Sequence, residues 1–160
     1  MGMCGSKTDN DTSIKMKQLE DSTLDTVDEV VYRFTKAKVL KVYDGDTVTI
    51  AAHYDGQIVK FNVRLFGIDC DEMKGGSAET KHNARSAKQF VESKVLNKVV
   101  DIDVLNNKII NGKQIREKFG RLLANIKVDG KDLATMLLEI GLARKYDGGH
   151  KDGTALRPVV

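Results

Sequence analysis

The segment from Ile58 to Ile68 constrains the fold most strongly, because apolar and polar residues alternate along it. The alternating residues are Val59, Lys60, Phe61, Asn62, Val63, Arg64 and Leu65. A period of two is typical of a β-strand that buries one face and exposes the other. The pattern therefore predicts a half-buried strand in which Arg64 points away from the face of Phe61 and Val63.

After residue 30, the other regular segments show either strand-like or helical patterns of apolar residues. Strand-like patterns occur at residues 39–42, 48–50, 99–105 and 120–128. Helical spacing of apolar residues occurs at residues 77–96 and 132–140. The tight-turn sequences Asp44-Gly45 and Asn111-Gly112 separate strands, and Gly141 is placed to end the second helix.

The order of these elements is three strands, a helix, two strands and a helix. This order predicts an α+β, mainly β fold: a five-stranded Greek-key barrel of the OB type with two or three packed helices. Other α+β folds can share the same order of elements. A chain of 160 residues, 41% of them hydrophobic, suits one domain with a sizeable core.

Charge and composition divide the chain near residue 30. Residues 1–30 are polar and carry three lysines against seven acids, a net charge of −4, whereas the rest of the chain carries +7. We predict a flexible N-terminal arm at 1–30 with a short helical turn near its end, a folded domain at 31–150 and a short tail at 151–160. A basic domain suits a polyanionic partner, although a lysine excess is also common on ordinary soluble surfaces.

Several classes of protein are excluded by the same composition. No run approaches the roughly 18 consecutive apolar residues of a membrane span, and no N-terminal apolar run predicts a secretory signal. The two cysteines, Cys4 and Cys70, do not make a disulfide framework. We therefore expect a protein of a reducing, cytoplasmic compartment.

Three short segments concentrate groups suited to phosphodiester cleavage: Tyr43 to Val48, Arg64 to Glu72, and Lys118 to Leu122. Such chemistry needs carboxylates that hold a hard divalent cation, guanidinium groups that grip phosphate oxygens, and one further carboxylate that accepts a proton from water. The residues that supply these groups are Asp46, Asp69, Glu72, Arg64 and Arg121. The spacing alone also fits a simpler interpretation, since Asp-Gly turns are common in this chain and an arginine on a strand often faces solvent.

Four motifs together resemble the ordered signature of the staphylococcal nuclease (thermonuclease) family over about residues 36–146. They are Tyr43-Asp44-Gly45-Asp46-Thr47, Arg64 through Glu72, Gly120-Arg121 and Gly141-Leu142-Ala143. The resemblance implies an OB-fold barrel and a calcium-dependent endonuclease acting on DNA and RNA. It also implies products with 3′-phosphate and 5′-hydroxyl ends, and backbone contacts imply little sequence specificity.

The resemblance also implies a role for the acidic residues. Carried across by motif, Asp46 and Asp69 would be calcium ligands, and the backbone carbonyl of Cys70 would complete the shell. Glu72 would be the general base, a role debated in the family because this glutamate can instead orient water or the metal.

The basic and aromatic residues receive roles in substrate binding in the same way. Arg64 and Arg121 would clamp the scissile phosphate. Lys118 stands where the family often contacts a nucleotide phosphate, and Tyr146 matches loosely a tyrosine that lies near the nucleotide. We expect one chain to supply all these groups as a monomer.

The chain departs from the family pattern at several positions. Asp71 replaces the usual proline before Glu72, which loosens the backbone there. It also places another carboxylate beside the metal loop, which would strengthen cation binding or alter the preferred ion. Phe119 replaces a tyrosine, and the last helix of the founding member has no counterpart. The alternative function is a non-catalytic OB-fold module that binds nucleic acid, but the presence of all five key residues favours an enzyme.

The first six residues fit a lipidation motif. Gly2 followed by Ser6 is the N-myristoylation pattern, and Cys4 is placed for palmitoylation. Two acyl chains anchor a protein stably, whereas one binds a membrane only marginally. The motif predicts attachment to the cytoplasmic face of a membrane, and the alternative is an unmodified tail.

Overall fold

The computed structural model describes residues 7–115, 117, 119–147, 156 and 158. By its internal contacts the chain divides into two units, and the boundary falls between Val30 and Val31. In the first unit, helix α1 (Lys7–Glu20) is followed by irregular chain. The second unit contains the strands and the remaining helices of the described residues.

Helix α1 differs from the short helical turn that the sequence predicts near the end of the first unit. It has 14 residues, and its apolar residues Ile14, Met16 and Leu19 are exposed. The helix therefore lacks the apolar stripe by which a helix is identified in a sequence. Local interactions support it instead, including an ion pair of 2.7 Å between Lys15 Nζ and Asp11 Oδ2. A search for apolar periods misses a helix of this kind.

The second unit follows the predicted order and adds short strands. Its strands are β1 (Lys36–Val42), β2 (Thr47–Tyr54), β3 (Gln57–Leu65), β4 (Ile68–Asp69), β5 (Val99–Val104), β6 (Ile109–Ile110), β7 (Lys113–Gln114), β8 (Leu122–Val128), β9 (Lys131–Asp132) and β10 (Arg144–Lys145). Its helices are α2 (Ala78–Val95) and α3 (Leu133–Glu139). Every strand and helix predicted after residue 30 overlaps one of these elements.

The five longer strands close into a barrel. Antiparallel pairs join them in the order β3-β2-β1-β5-β8, and a parallel pair between β3 and β8 closes the ring. Closure pairs the strand edges that an open sheet would leave exposed. The closed barrel confirms the predicted mainly β, α+β fold of the OB type.

Two-residue turns fix the register of the adjoining strands. Asp55-Gly56 joins β2 to β3, and Asp129-Gly130 joins β8 to β9. All four residues have positive φ, at 49°, 73°, 51° and 76° in chain order. Positive φ at both positions is typical of type I′ turns, whose twist matches that of the flanking strands.

One face of helix α2 covers the barrel. Ala84, Ala87, Val91 and Val95 recur at three- and four-residue spacing on that face, and all four are buried. Ser77 caps the helix, because its Oγ accepts a hydrogen bond from the backbone N–H of Thr80. In the part of the chain that the structure describes, no helix is long and apolar enough to cross a membrane.

Helix α3 is bounded by the residues that the sequence predicts. The side chain of Asp132 accepts a hydrogen bond from the backbone N–H of Thr135 and so caps the first turn. Gly141 follows the helix with a φ of 70°, the left-handed conformation that ends helices most easily when the residue is glycine. The chain then runs into β10, which pairs with β4 and thus returns to the strand that follows Arg64.

The Asp44-Gly45 segment comes closer to helix α2 than any larger residue would allow. A Cβ atom added at Gly45 would lie 2.6 Å from Cβ of Ala87 and 2.8 Å from Sγ of Cys70. The turn therefore requires glycine for close packing. This contact sets the position of the segment that carries Asp46.

We predict that Gly45→Ala lowers the free energy of unfolding by about 1–3 kcal/mol, because overpacking forces the backbone away from α2. Urea unfolding measures this loss. An Ala87→Gly background supplies the control, since removal of the facing methyl relieves the shorter of the two contacts and should reduce the loss, while the contact with Cys70 Sγ remains. An equal loss in both backgrounds would contradict the steric explanation.

Candidate active site

The strand pairing brings the three chemistry-bearing segments together at one end of the barrel. Thr47 pairs with Arg64 across β2 and β3, and Arg64 pairs with Leu123 across β3 and β8. The residues just before β2 and β8 are Asp46 and Arg121, so both lie beside Arg64. The barrel thus unites groups that are up to 75 positions apart in the sequence.

Arg64 lies between two aspartates. Its Nη2 donates hydrogen bonds to Asp69 Oδ1 at 3.0 Å and to Asp46 Oδ2 at 3.3 Å. Its Nη1 donates to the carbonyl oxygen of Ile68 at 3.0 Å. The Asp69 side chain is only 4% exposed, so the guanidinium neutralises two carboxylates that water reaches poorly.

The carboxylate of Asp46 is fixed from both sides. Its Oδ1 accepts a hydrogen bond from Thr47 Oγ1 at 2.9 Å, and its Oδ2 accepts one from the backbone N–H of Cys70 at 3.2 Å. The second bond ties the turn before β2 to the residue after β4. Asp46 and Asp69 are therefore held close to one another by Arg64 and by the backbone at Cys70.

The half-buried carboxyl group of Asp44 adjoins this pair. The pKa of Asp44 is raised to about 6, chiefly by burial and also by the neighbouring negative charge of Asp46. Asp44 Oδ1 is buried and has no hydrogen-bond partner among the described residues. The sequence predicts Asp44 only as a turn residue, and its burial beside Asp46 follows from the packing of Gly45 against α2.

The donor chemistry of this cluster fits a hard cation. Carboxylate oxygens are the ligands that Ca²⁺ prefers, and the buried Oδ1 of Asp44 has no hydrogen-bond partner among the described residues. No group of three or more His, Cys, Asp or Glu side chains in the described part of the chain is arranged to hold a metal. Two aspartates would therefore need backbone carbonyl oxygen and water to complete a calcium shell.

Burial also affects the thiol between the two acidic positions. Burial raises the pKa of Cys70, and the negative charges of Asp46, Asp44 and Asp69 raise it further. The thiol therefore stays protonated, and its sulfur packs against Gly45. The contribution of Cys70 to the site comes from its backbone.

Arg121 is held by a carboxylate that the sequence analysis does not single out. Glu117 Oε1 accepts hydrogen bonds from Arg121 Nη2 at 2.7 Å and Nε at 3.1 Å. Its Oε2 accepts bonds from the backbone N–H groups of Phe119 and Arg121. Burial opposes ionisation of Glu117, but these hydrogen bonds outweigh it and lower the pKa of the group. The remaining Nη1 of Arg121 reaches Thr47 Oγ1 at 3.5 Å.

The two arginines open into one cleft of about 840 Å³. Glu72, which is exposed, and Tyr146 also line it. The ring of Tyr146 lies 5.1 Å from the guanidinium carbon of Arg64, and Phe119, 80% exposed, lies 5.6 Å from that of Arg121. Each arginine therefore has an aromatic face beside it, and lysines at the same cleft add positive charge: Lys74, Lys88 and Lys113.

Asp71 does not line the cleft. Its Oδ2 accepts a hydrogen bond from Asn83 Nδ2 at 3.2 Å, and its Oδ1 accepts one from Arg144 Nη2. The side chain is only 5% exposed. The additional carboxylate predicted beside the metal loop is thus an internal ion-pair partner in a buried polar network.

Most of the predicted site residues lie in this arrangement. Asp46, Arg64, Asp69, Glu72, Arg121 and Tyr146 share the cleft, and the backbone N–H of Cys70 joins them. Lys118 and the lipidation residues Gly2 and Cys4 lie outside the described residues. Glu117 was not identified from the sequence, because the four-residue rule for ion pairs applies to helices and Glu117 lies in none.

Comparison with known proteins gives one family match. The model of the staphylococcal nuclease homologue family matches residues 62–156, which is more than half of the chain. The matched segment includes Arg64, Asp69, Glu72 and Arg121. No curated protein matches the chain at a significant level.

Proposed function

Because the chain belongs to the staphylococcal nuclease homologue family, we propose that it is a calcium-dependent endonuclease that hydrolyses phosphodiester bonds in DNA and RNA. The observation that carries this proposal is the shared cleft in which Arg64 bridges Asp46 and Asp69 while Arg121 stands beside Thr47. A binding module would need basic side chains but would have no need of two buried aspartates beside them.

Asp46 and Asp69 would hold Ca²⁺ together with the carbonyl oxygen of Cys70. Bound there, the cation would neutralise charge at the phosphodiester and polarise its phosphorus. Support comes from the burial of both aspartates and from the buried, unpartnered oxygen of Asp44. These three carboxyl groups outnumber the two guanidinium groups that reach them, Arg64 and Arg144, which favours an added positive charge.

Arg64 and Arg121 would bind the non-bridging oxygens of the scissile phosphate. A guanidinium group donates two parallel hydrogen bonds to such oxygens, and it binds most strongly when charge accumulates there in the transition state. Each arginine is already oriented by carboxylate partners, Arg64 by Asp69 and Arg121 by Glu117. Preorganisation of this kind lowers the cost of reorientation during the reaction.

Glu72 would accept the proton of the attacking water. It lines the cleft and is exposed, so water can reach its carboxylate. Attack on phosphorus with cleavage of the bond to the 5′ oxygen leaves a 3′-phosphate on one product. The departing 5′ oxygen takes up a proton and becomes the 5′-hydroxyl of the other.

We propose little sequence specificity and activity on both DNA and RNA. The cationic groups of the cleft are Arg64, Arg121, Lys74, Lys88 and Lys113, and such groups contact phosphates rather than base edges. Aromatic side chains such as Phe119 and Tyr146 offer stacking surfaces that tolerate any base. All of these groups belong to one chain, which supports action as a monomer.

A cleavage assay tests the proposal. Single-stranded DNA, duplex DNA and RNA are incubated with calcium, with magnesium or with chelator, and Glu72→Gln is compared with Glu79→Gln. Glu79 lies in the first turn of α2, is exposed and does not line the cleft. We expect calcium-dependent cleavage that Glu72→Gln loses and Glu79→Gln retains. Binding of all three nucleic acids without cleavage under any ion would instead establish a non-catalytic binding module.

The N-terminal arm would control location rather than catalysis. We propose that Gly2 is myristoylated and Cys4 palmitoylated, and that these groups attach the protein to the cytoplasmic face of a membrane. Deletion of residues 1–30 should leave kcat unchanged and abolish sedimentation with membranes in a eukaryotic cell. Mass spectrometry should find the acyl groups on the intact chain and not on Gly2→Ala. An unmodified N-terminus, or loss of folding on deletion, would contradict this role of the arm.

A further inference from the structure

The loop that carries Glu72 begins at a buried charge. Asp71 is 5% exposed on its side chain, whereas the residues from Glu72 to Gly76 are exposed. Both carboxylate oxygens of Asp71 accept hydrogen bonds, one from Arg144 and one from Asn83. A buried carboxylate that loses its partners is costly, so this residue is fixed where the loop leaves the core.

Arg144 connects Asp71 to Asp69, one of the two proposed calcium ligands. Strand β10 places Arg144 directly opposite Asp69 of β4. Its Nε lies 3.8 Å from Asp69 Oδ2, while its Nη2 donates to Asp71 Oδ1. One guanidinium therefore faces both carboxylates that flank Cys70, and it offsets the repulsion between them.

Asn83 connects Asp71 to two further parts of the fold. It lies on the buried face of α2, next to Ala84, and is 3% exposed. Its Nδ2 donates to Asp71 Oδ2 at 3.2 Å and to the carbonyl oxygen of Leu156 at 3.1 Å. An amide on an otherwise apolar helix face is thus satisfied by the start of the loop and by the C-terminal segment.

We propose that Asp71 is a positioning residue for the reaction, which acts by holding Glu72 in place through Arg144 and Asn83. The inference rests on the proposed nuclease function. Consecutive Cα atoms are about 3.8 Å apart, so a fixed Asp71 restricts the position of Glu72 directly. The same network joins the loop to Asp69, so the general base and a cation ligand keep a constant separation.

Steady-state cleavage of a single-stranded DNA oligonucleotide by Asp71→Asn tests this role. Loss of a supporting partner of this kind typically lowers activity about 10- to 100-fold, and we expect the loss in kcat with little change in KM. Glu72→Gln removes the carboxylate that Asp71 positions, so Asp71→Asn should retain more cleavage than Glu72→Gln does. Asp101→Asn is the matched control, since its ion pair with Lys36 lies on the surface. An equal fold-loss in Asp101→Asn, or a rise in KM with kcat unchanged, would overturn the proposal and indicate a general structural effect.

Amide hydrogen exchange supplies a readout that does not depend on cleavage. In Asp71→Asn the amides of residues 72–76 should exchange several-fold faster than in the unaltered chain. In Asn83→Ala the amides of residues 72–76 and the amide of Leu156 should all exchange faster. Unchanged exchange at 72–76 in both variants would refute the positioning role even if the enzyme is active. If the variants exchange faster but the unaltered chain never cleaves nucleic acid, Asp71 still anchors the loop and the proposed nuclease function is wrong.

Discussion

Replacement of Arg64 or Arg121 with alanine should abolish measurable cleavage, with a fall in kcat of about 10³-fold or more, while the barrel remains folded. Both guanidinium groups open into the cleft, and both are held by carboxylates before any substrate binds. Each is therefore placed to donate to phosphate oxygens as their charge increases. A single-turnover assay with saturating enzyme separates this effect from weaker binding.

Lysine at position 64 distinguishes charge from geometry. Arg64→Lys retains a cation between Asp46 and Asp69, so the folded state keeps its main electrostatic support. It loses the planar fork that grips two phosphate oxygens at once. We expect stability near that of the unaltered chain and a kcat lower by about 10²–10³-fold.

Arg85→Ala is the matched control for the alanine variants, because Arg85 is exposed on α2 and does not line the cleft. It should cleave DNA at the rate of the unaltered chain. Near-normal cleavage by Arg64→Ala or Arg121→Ala would contradict the proposed phosphate clamp. If urea unfolding showed that Arg64→Ala had lost its fold, Arg64→Lys would still test the phosphate clamp, since it should remain folded and lose kcat.

Much of the barrel could be predicted because local patterns determine it. The alternation from Val59 to Leu65 forms part of β3. As predicted, Arg64 is less buried than its neighbours Val63 and Leu65 on the other face of that strand. The Asp55-Gly56 pair forms a two-residue turn because both residues adopt positive φ at little cost. These features depend on neighbours in the sequence, which is why composition and period suffice to identify them.

The polar networks could not be predicted, because their partners are distant in the sequence. Asp71 meets Asn83 and Arg144 only after α2 packs on the barrel and β10 pairs with β4. Nothing near Asp71 in the sequence indicates that its charge is buried. The sequence therefore predicts a carboxylate at the metal loop, whereas folding places it in an internal ion pair.

Asp44 and Glu117 illustrate two further reasons for such misses. Asp-Gly pairs occur five times in this chain, so Asp44 resembles an ordinary turn residue until Gly45 packs against Ala87. Glu117 belongs to no helix or strand among the described residues, and neither periodicity nor a motif marks it. Its role follows only from the position of Arg121 just before β8.

Asp46→Asn should remove calcium binding without destabilising the calcium-free protein. The buried Asp46 and Asp69 and the half-buried Asp44 form an acidic group that Arg64 and Arg144 only partly neutralise, so loss of one negative charge relieves repulsion. The same substitution replaces a charged oxygen ligand with a neutral amide, which binds Ca²⁺ more weakly. Titration calorimetry with calcium chloride should detect binding in the unaltered chain and none in the variant.

Unfolding in calcium tests the same prediction through stability. A ligand that binds only the folded state at 100 times its Kd adds about 2.7 kcal/mol to the free energy of unfolding. Calcium at that level should stabilise the unaltered chain and Asp55→Asn, whose aspartate lies in the turn between β2 and β3, but not Asp46→Asn. Equal stabilisation of all three would mean that calcium binds elsewhere, since Asp46 accepts bonds from Arg64, Thr47 and Cys70 at the centre of the cluster. Loss in Asp46→Asn alone would place the cation at this carboxylate, beside Arg64, the arginine that we propose binds the phosphate.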